Sequence, residues 1–398
     1  MSGKLPGVVV TDGQTRAALA VVRSLGRAGY RVSVCAPQRN SLAAASRFAA
    51  TSVAVPDALA EPERFAAAVG AYARAQGARV VLPIADASLL AVLGHRSTLG
   101  DLIVPFPSLE PWHAVADKKG IMDAADADRI ATPASVTLAS AAVDNVLTTL
   151  PYPVVLKPHR SVVGRDGSRT KVGVLHAASA DDARRALHEL PREAFPVLAQ
   201  ERIIGAGIGI FVLVWNGKLV AAFAHRRLRE KPPAGGVSVY RESIALDQDL
   251  LRRSLALLAR FDWNGVAMLE FKERESDGTP YLMEVNGRFW GSLQLAIDAG
   301  VDFPRLLVEA ALGATPTPVT TYQVGVRCRW WWGDVDHLLL RLLRSRSALD
   351  LPTESPGRLS ALVDFLRVRG RDRNEVLRWD DPKPFVRESL DWLRGRSA

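Results

Sequence analysis

Residues Leu282-Met283-Glu284-Val285-Asn286-Gly287-Arg288 alternate apolar and polar side chains. Residues two apart on a strand share a face, so Glu284, Asn286 and Arg288 point the same way if extension persists. A carboxylate and an amide oxygen are hard ligands suited to Mg²⁺. An arginine beside them is suited to phosphate or carboxylate. The apolar Leu282, Met283 and Val285 argue against a solvated strand end.

The preceding apolar run, Val266-Ala267-Met268-Leu269-Glu270-Phe271, contains a second acid. Burying Glu270 there is costly unless it is paired or bound to a metal. Residues paired across a hairpin have a constant index sum, so Glu270 opposite Glu284 requires an odd-length loop. Ser276-Asp277-Gly278 is the three-residue case, with Gly278 at the left-handed position. Carboxylates opposed at about 5 Å repel each other and invite a cation between them. A two-residue Asp277-Gly278 loop would put them on opposite faces. The odd loop is the expectation.

Upstream, short apolar strands alternate with helices. Val8-Val9-Val10, Arg31 to Cys35, Thr51 to Val55, Arg79 to Leu82 and Leu102 to Val104 are strands, separated by helices such as Gln14 to Ala28 and Asp86 to Leu99. This pattern predicts a parallel sheet covered on both faces. The first turn, Thr11-Asp12-Gly13-Gln14-Thr15, has one glycine where a dinucleotide site wants three. Capping of the next helix by Asp12 or Thr11 is its plain reading. One helical stretch spans Leu109 to Ala127 and carries Asp117-Lys118-Lys119. The middle of the chain reads as α+β with antiparallel hairpins, one turning at Asn216-Gly217. Lys157 ends a strand before a loop from His159 to Thr170, where it is a plausible grip for phosphate. Residues His225 to Gly236 form a basic run ending in Pro and Gly, read as a mobile cationic loop. After Pro318 comes a Trp- and Arg-rich helical tail whose Trp330-Trp331-Trp332 is expected to pack on the main body.

The chain has 398 residues, 48% hydrophobic and 23% charged, with net charge +9. This excludes general disorder and fits two or three domains. No window suits a membrane span, and the amino end lacks a secretory h-region, so a cytoplasmic protein is expected. Cys35 and Cys328 make no zinc or disulfide pattern and read as buried thiols. The basic excess forms no lysine-and-arginine stripe of the nucleic-acid type.

Taken in order, Asp117-Lys118, Val155-Leu156-Lys157-Pro158, Gln200-Glu201-Arg202-Ile203-Ile204-Gly205, the strand with Glu270, and Glu284-Val285-Asn286-Gly287-Arg288 resemble the ATP-grasp superfamily. The likeness, over roughly residues 7–315, is to its carboxylate–amine ligases of biotin-carboxylase-like architecture. It implies a Rossmann-like domain at 1–112, two ATP-grasp subdomains at 113–195 and 196–316, and a helical extension at 317–398. By resemblance, Lys118 (or Lys119) and Lys157 hold nucleotide phosphates. Gln200, Glu201, Arg202 and Ile203 hold adenine. Glu270, Glu284 and Asn286 bind Mg²⁺, or Mn²⁺ in its place. Arg288 serves the acyl-phosphate centre, and Lys231, or Arg227 and Arg229, approaches the γ-phosphate as the loop closes. The family motif often reads Asn-Pro-Arg, and Gly287 stands at the proline here. The implied reaction is ATP-dependent joining of a carboxylate to an amine, with no membrane or nucleic-acid partner and with a homodimer allowed. Phosphotransfer or carboxylation without amide formation, or a degenerate ATP-binding protein, are the alternatives.

Overall fold

The computed structural model describes residues 5–141, 143–164, 169–351, 355–367 and 372–395. Strands β1 (Gly7–Val10), β2 (Arg31–Ala36), β3 (Ala49–Ala54) and β4 (Ala78–Leu82) form a parallel sheet in the order β3-β2-β1-β4. Val8, Val9 and Val10 are fully buried, as a sheet covered on both faces requires. The expected strand at Leu102–Val104 shrinks to a single parallel bridge between Val80 and Ile103.

The first turn corrects the sequence reading. Thr15, not Asp12, caps the helix Arg16–Arg27, accepting from Ala18 N. Asp12 sits at φ 57°. Its carboxylate accepts from Ile84 N at 3.1 Å, Ala85 N at 3.0 Å and the Ser88 hydroxyl at 2.5 Å. It thus fixes the start of the helix Asp86–Gly94. The expected helix from Leu109 to Ala127 is two helices, Leu109–Ala116 and Lys118–Ala127. Asp117 breaks it by capping the second, its side chain accepting from Gly120 N at 3.0 Å.

A second sheet contains β5 (Ser135–Leu138), β6 (Val154–Pro158), β9 (Leu175–Ala177) and β10 (Val197–Glu201), in the antiparallel order β5-β10-β6-β9. Between β6 and β9 lies a small pair, β7 (Val162–Val163) with β8 (Thr170–Lys171). Most of the expected phosphate loop falls here, and its residues 165–168 lie outside those described.

The third sheet has seven strands: β11 (Gly205–Trp215), β12 (Lys218–Lys231), β13 (Val237–Ser243), β14 (Gly265–Arg274), β15 (Pro280–Asn286), β16 (Arg327–Arg329) and β17 (Asp372–Asn374). Their order is β15-β14-β11-β12-β13-β16-β17. Asn216 and Gly217 turn the β11–β12 hairpin with φ of 50° and 72°. Both strands run further than expected. Residues 225–231, read as a mobile loop, are strand: His225 and Arg226 pair with both β11 and β13 (Gly209↔His225↔Ser243), and the run on to Lys231 pairs with β13. Only Pro232 to Gly236 turn.

The hairpin β14–β15 does pair Glu270 with Glu284, by a different route from the one expected. The loop has four residues, 275–278: Arg274 N donates to Thr279 O, and Gly278 N to Arg274 O. That even loop would misalign the acids by one residue. A β-bulge at Met283 restores the register: Phe271 pairs with Leu282, and Glu270 with Glu284. Gly278 is left-handed as expected, at φ 71°.

The tail is helical at Trp331–Leu343, Arg358–Leu366 and Lys383–Leu393, and it also adds β16 and β17 to the sheet. Buried ion pairs seat it on the body. Arg23 meets Asp381 at 2.8 Å and Arg241 meets Glu375 at 2.6 Å. Trp330 is buried beneath the Arg16 guanidinium, 3.8 Å from its ring centroid. Both cysteines are free and buried. Among the described residues no helix is long and apolar enough to cross a membrane.

Candidate active site

Cross-strand pairing puts the carboxylates of Glu270 and Glu284 on one face. The Asn286 amide donates to Glu284 Oε1 at 2.9 Å, and Arg288 Nη2 donates to Asn286 Oδ1 at 3.0 Å. Arg288 is aimed in turn by Asp86, whose Oδ2 lies 2.8 Å from its Nε. Gly287 is required between them: a Cβ there would come within 2.3 Å of the Trp263 ring.

Two lysines face these acids. Lys118 Nζ lies 3.5 Å from Glu284 and donates to the Ser161 hydroxyl at 3.1 Å. Its backbone N–H is held by His159 O at 3.0 Å. Lys119 points to solvent and pairs with Asp123. Lys157, buried at the end of β6, approaches Met283 Sδ at 3.9 Å, the residue that makes the bulge. Burial pushes its ammonium down to about 8, while Glu284 and Glu270 resist that shift. Burial would raise Glu284; Lys118, the Asn286 amide, Lys157 and Arg288 overcome this and hold it down to about 2. Burial raises Glu270, and the Arg227 guanidinium at 2.5 Å opposes the rise.

The acids line a cleft of about 550 Å³ between the second and third sheets, with Lys157, Gln200, Ile203, Met268 and Met283. Gln200 is 1% exposed, and neither its amide nitrogen nor its oxygen has a partner. A buried primary amide left open to a cleft calls for a polar ligand. The donor set at the acids (two carboxylates and an amide oxygen, one carboxylate held ionised) fits a hard divalent cation.

Residues 193–332 match a family model described as ATP-grasp in the biosynthetic pathway with Ter operon. The whole architecture is similar to solved structures. An L-amino acid ligase from Bacillus licheniformis superposes with TM-score 0.59 at 17% identity, covering 79% of this chain and 76% of that one. A biotin carboxylase from Campylobacter jejuni gives 0.62 at 16%, over 81% and 75%. N5-carboxyaminoimidazole synthetase from Staphylococcus aureus, complexed with ADP, gives 0.61 at 14%, over 82% of each. The chain has the ATP-grasp fold. No curated protein matches it in sequence.

Within this ATP-grasp fold, Lys118, Lys157, Glu270, Glu284, Asn286 and Arg288 converge. Gln200, Glu201, Arg202 and Ile203 line the same cleft. Glu201 is tied to Arg274 at 2.7 Å and Arg202 to Asp350 of the tail at 2.9 Å. The basic run divides. Arg227 faces the cleft, pairing with Glu270 and, at 2.8 Å, with Glu230. Lys231 and Arg229 are turned away, held by Asp336 and Asp334, each at 2.6 Å. Gly207 on β11 makes room for this: a Cβ there would lie 2.7 Å from Arg227 Cδ. Asp86 was the residue sequence reasoning missed, since a helix-starting acid after Pro83 has no local sign of a partner beyond β15.

Proposed function

We propose that this protein is an ATP- and Mg²⁺-dependent ligase that activates a carboxylate as an acyl phosphate and joins it to an amine, the substrates being amino acids or similar small metabolites. One observation carries the reading: two facing acids, an amide oxygen, Lys157 and an oriented arginine line one cleft that also holds an unsatisfied buried amide, and Lys118 meets Glu284 from beside it. The likeness to an L-amino acid ligase supports it.

Glu270, Glu284 and Asn286 would hold the metal, which supplies charge neutralisation at the phosphates. Lys118 and Lys157 would bind phosphate oxygens, and Gln200 would pair with the edge of adenine. The substrate carboxylate attacks the γ-phosphorus, the β–γ bond breaks, and ADP departs. The amine nitrogen then attacks the acyl carbon and expels phosphate, losing a proton to solvent or buffer. Both steps gather negative charge where Arg288, held by Asp86, is already placed. The turn Pro232 to Gly236 lines the cleft and limits access of water to the acyl phosphate.

The test is ADP release from Mg-ATP against a panel of amino acids and small carboxylic acids, singly and in pairs, with Lys157→Ala as blank. A stimulating pair whose product mass is one water below their sum establishes the ligase. A stable phosphorylated product, with no amide formed, refutes amide formation.

A further inference from the structure

One helix of the carboxyl-terminal extension, Trp331–Leu343, grips the end of β12 at three successive residues. Asp334, fully buried, receives both Nε and Nη2 of Arg229 at 2.6 Å. His337 Nδ1 donates to Glu230 O at 2.7 Å. Asp336 Oδ2 meets Lys231 Nζ at 2.6 Å, while its other oxygen accepts from Trp392 Nε1 at 2.9 Å. The side chain between the two clamped cations, Glu230, points the opposite way, into the cleft. There it holds Arg227 at 2.8 Å, and Arg227 also donates to Gly236 O at 3.2 Å and binds Glu270.

This arrangement solves a specific electrostatic problem. Glu270 cannot serve a metal ion fully and remain the sole counter-charge of Arg227. A guanidinium buried without a carboxylate is strongly unfavourable. Glu230 is the second carboxylate that keeps Arg227 in place when Glu270 turns to a metal. We propose that the Trp331–Leu343 helix is a positioning element of the nucleotide site: by clamping residues 229–231 it fixes Glu230, and so holds Arg227 where the terminal phosphate of ATP is drawn beside Glu270. Lys231 is thereby a structural anchor, not a phosphate ligand. The inference rests on the nucleotide reading above and extends it to Asp334, Asp336 and His337, none of which touches the cleft containing Lys157.

Calorimetric titration of the full chain with Mg-ATP and Mg-ADP tests it. Asp336→Asn is expected to weaken Mg-ATP about tenfold and to leave Mg-ADP within a factor of about two. Lys231→Met, which cuts the same contact from the other side, is expected to do the same, and the double variant is expected to be no worse than either. Thermal melting checks that each variant is folded; if one is not, the other serves. Wild-type affinities in a folded variant overturn the proposal, as does an equal loss for ATP and ADP, the mark of a merely loosened fold. Lys157→Ala separates the two readings. If it abolishes binding while Asp336→Asn changes nothing, the positioning role alone fails. If the wild-type chain binds no Mg-ATP, the nucleotide reading fails and takes the positioning role with it.

Discussion

Asp86, at the start of the helix Asp86–Gly94, and Arg288, beyond β15, form an ion pair of 2.8 Å that ties that helix to the strand carrying Glu284. Asp12 sets the start of that helix, so the aim of Arg288 depends on a turn at the parallel sheet. Asp86→Asn keeps the shape and removes the charge. We expect ADP formation to fall roughly tenfold or more, with Mg-ATP affinity unchanged, because the arginine is needed as charge develops rather than on binding. Steady-state ADP release beside a binding isotherm reads the split.

Glu284→Gln is expected to lower Mg²⁺ or Mn²⁺ affinity at least about tenfold and to abolish ATP turnover while the chain stays folded. The substitution removes the anion that Lys118 and Lys157 face, and neither lysine depends on it to reach its place: one is capped into its helix and the other ends a central strand. Metal titration and circular dichroism together check this.

Lys157 carries a pH dependence. Its folded value, about 8, lies below its ordinary value of 10.5. Phosphate needs the charged form, so nucleotide affinity is expected to fall as pH rises through about 8, with proton uptake on binding above that pH. The stability effect has the opposite sign. Between about 8 and 10.5 the unfolded chain binds the extra proton, so this group's contribution to stability rises with pH over that window. Binding heats in buffers of different ionisation enthalpy and a pH series of denaturant melts measure the two.

Asp381→Ala strands Arg23, whose side chain is 1% exposed and otherwise meets only the carbonyls of Glu375, Val376 and Asp381. Loss of one partner of such a buried pair costs about 3–5 kcal/mol. Denaturant unfolding of the variant is expected to show that loss; a change below about 1 kcal/mol would mean the pair is solvated.

The parallel sheet and the hairpins were legible because their apolar patterns are local, and the shared face of Glu284 and Asn286 because strand periodicity fixes which side chains lie together. The pairing of Glu270 with Glu284 was anticipated, yet the bulge at Met283 that produces it was not: an even loop plus one extra residue gives the same index sum as an odd loop. His225 to Lys231 looked like a loop because its charges suggest solvent. In the fold, its cations have distant partners (Glu273 for Arg226, Glu270 for Arg227, Asp334 for Arg229, Asp336 for Lys231), and backbone pairing with β13 overrides composition. The same holds for the tail, whose acids look like surface residues until Arg23 and Arg241 are found beneath them.

The seven-stranded sheet runs without interruption from the metal-site strand β15 to β17, near the carboxyl end. β13 is therefore an interior strand only because β16 lies beside it. Without residues 317–398 the chain would offer the unpaired N–H and C=O groups of β13 to any passing strand, beside the core surface that Trp330 now covers. The extension thus closes an edge that would otherwise be open to sheet-to-sheet pairing.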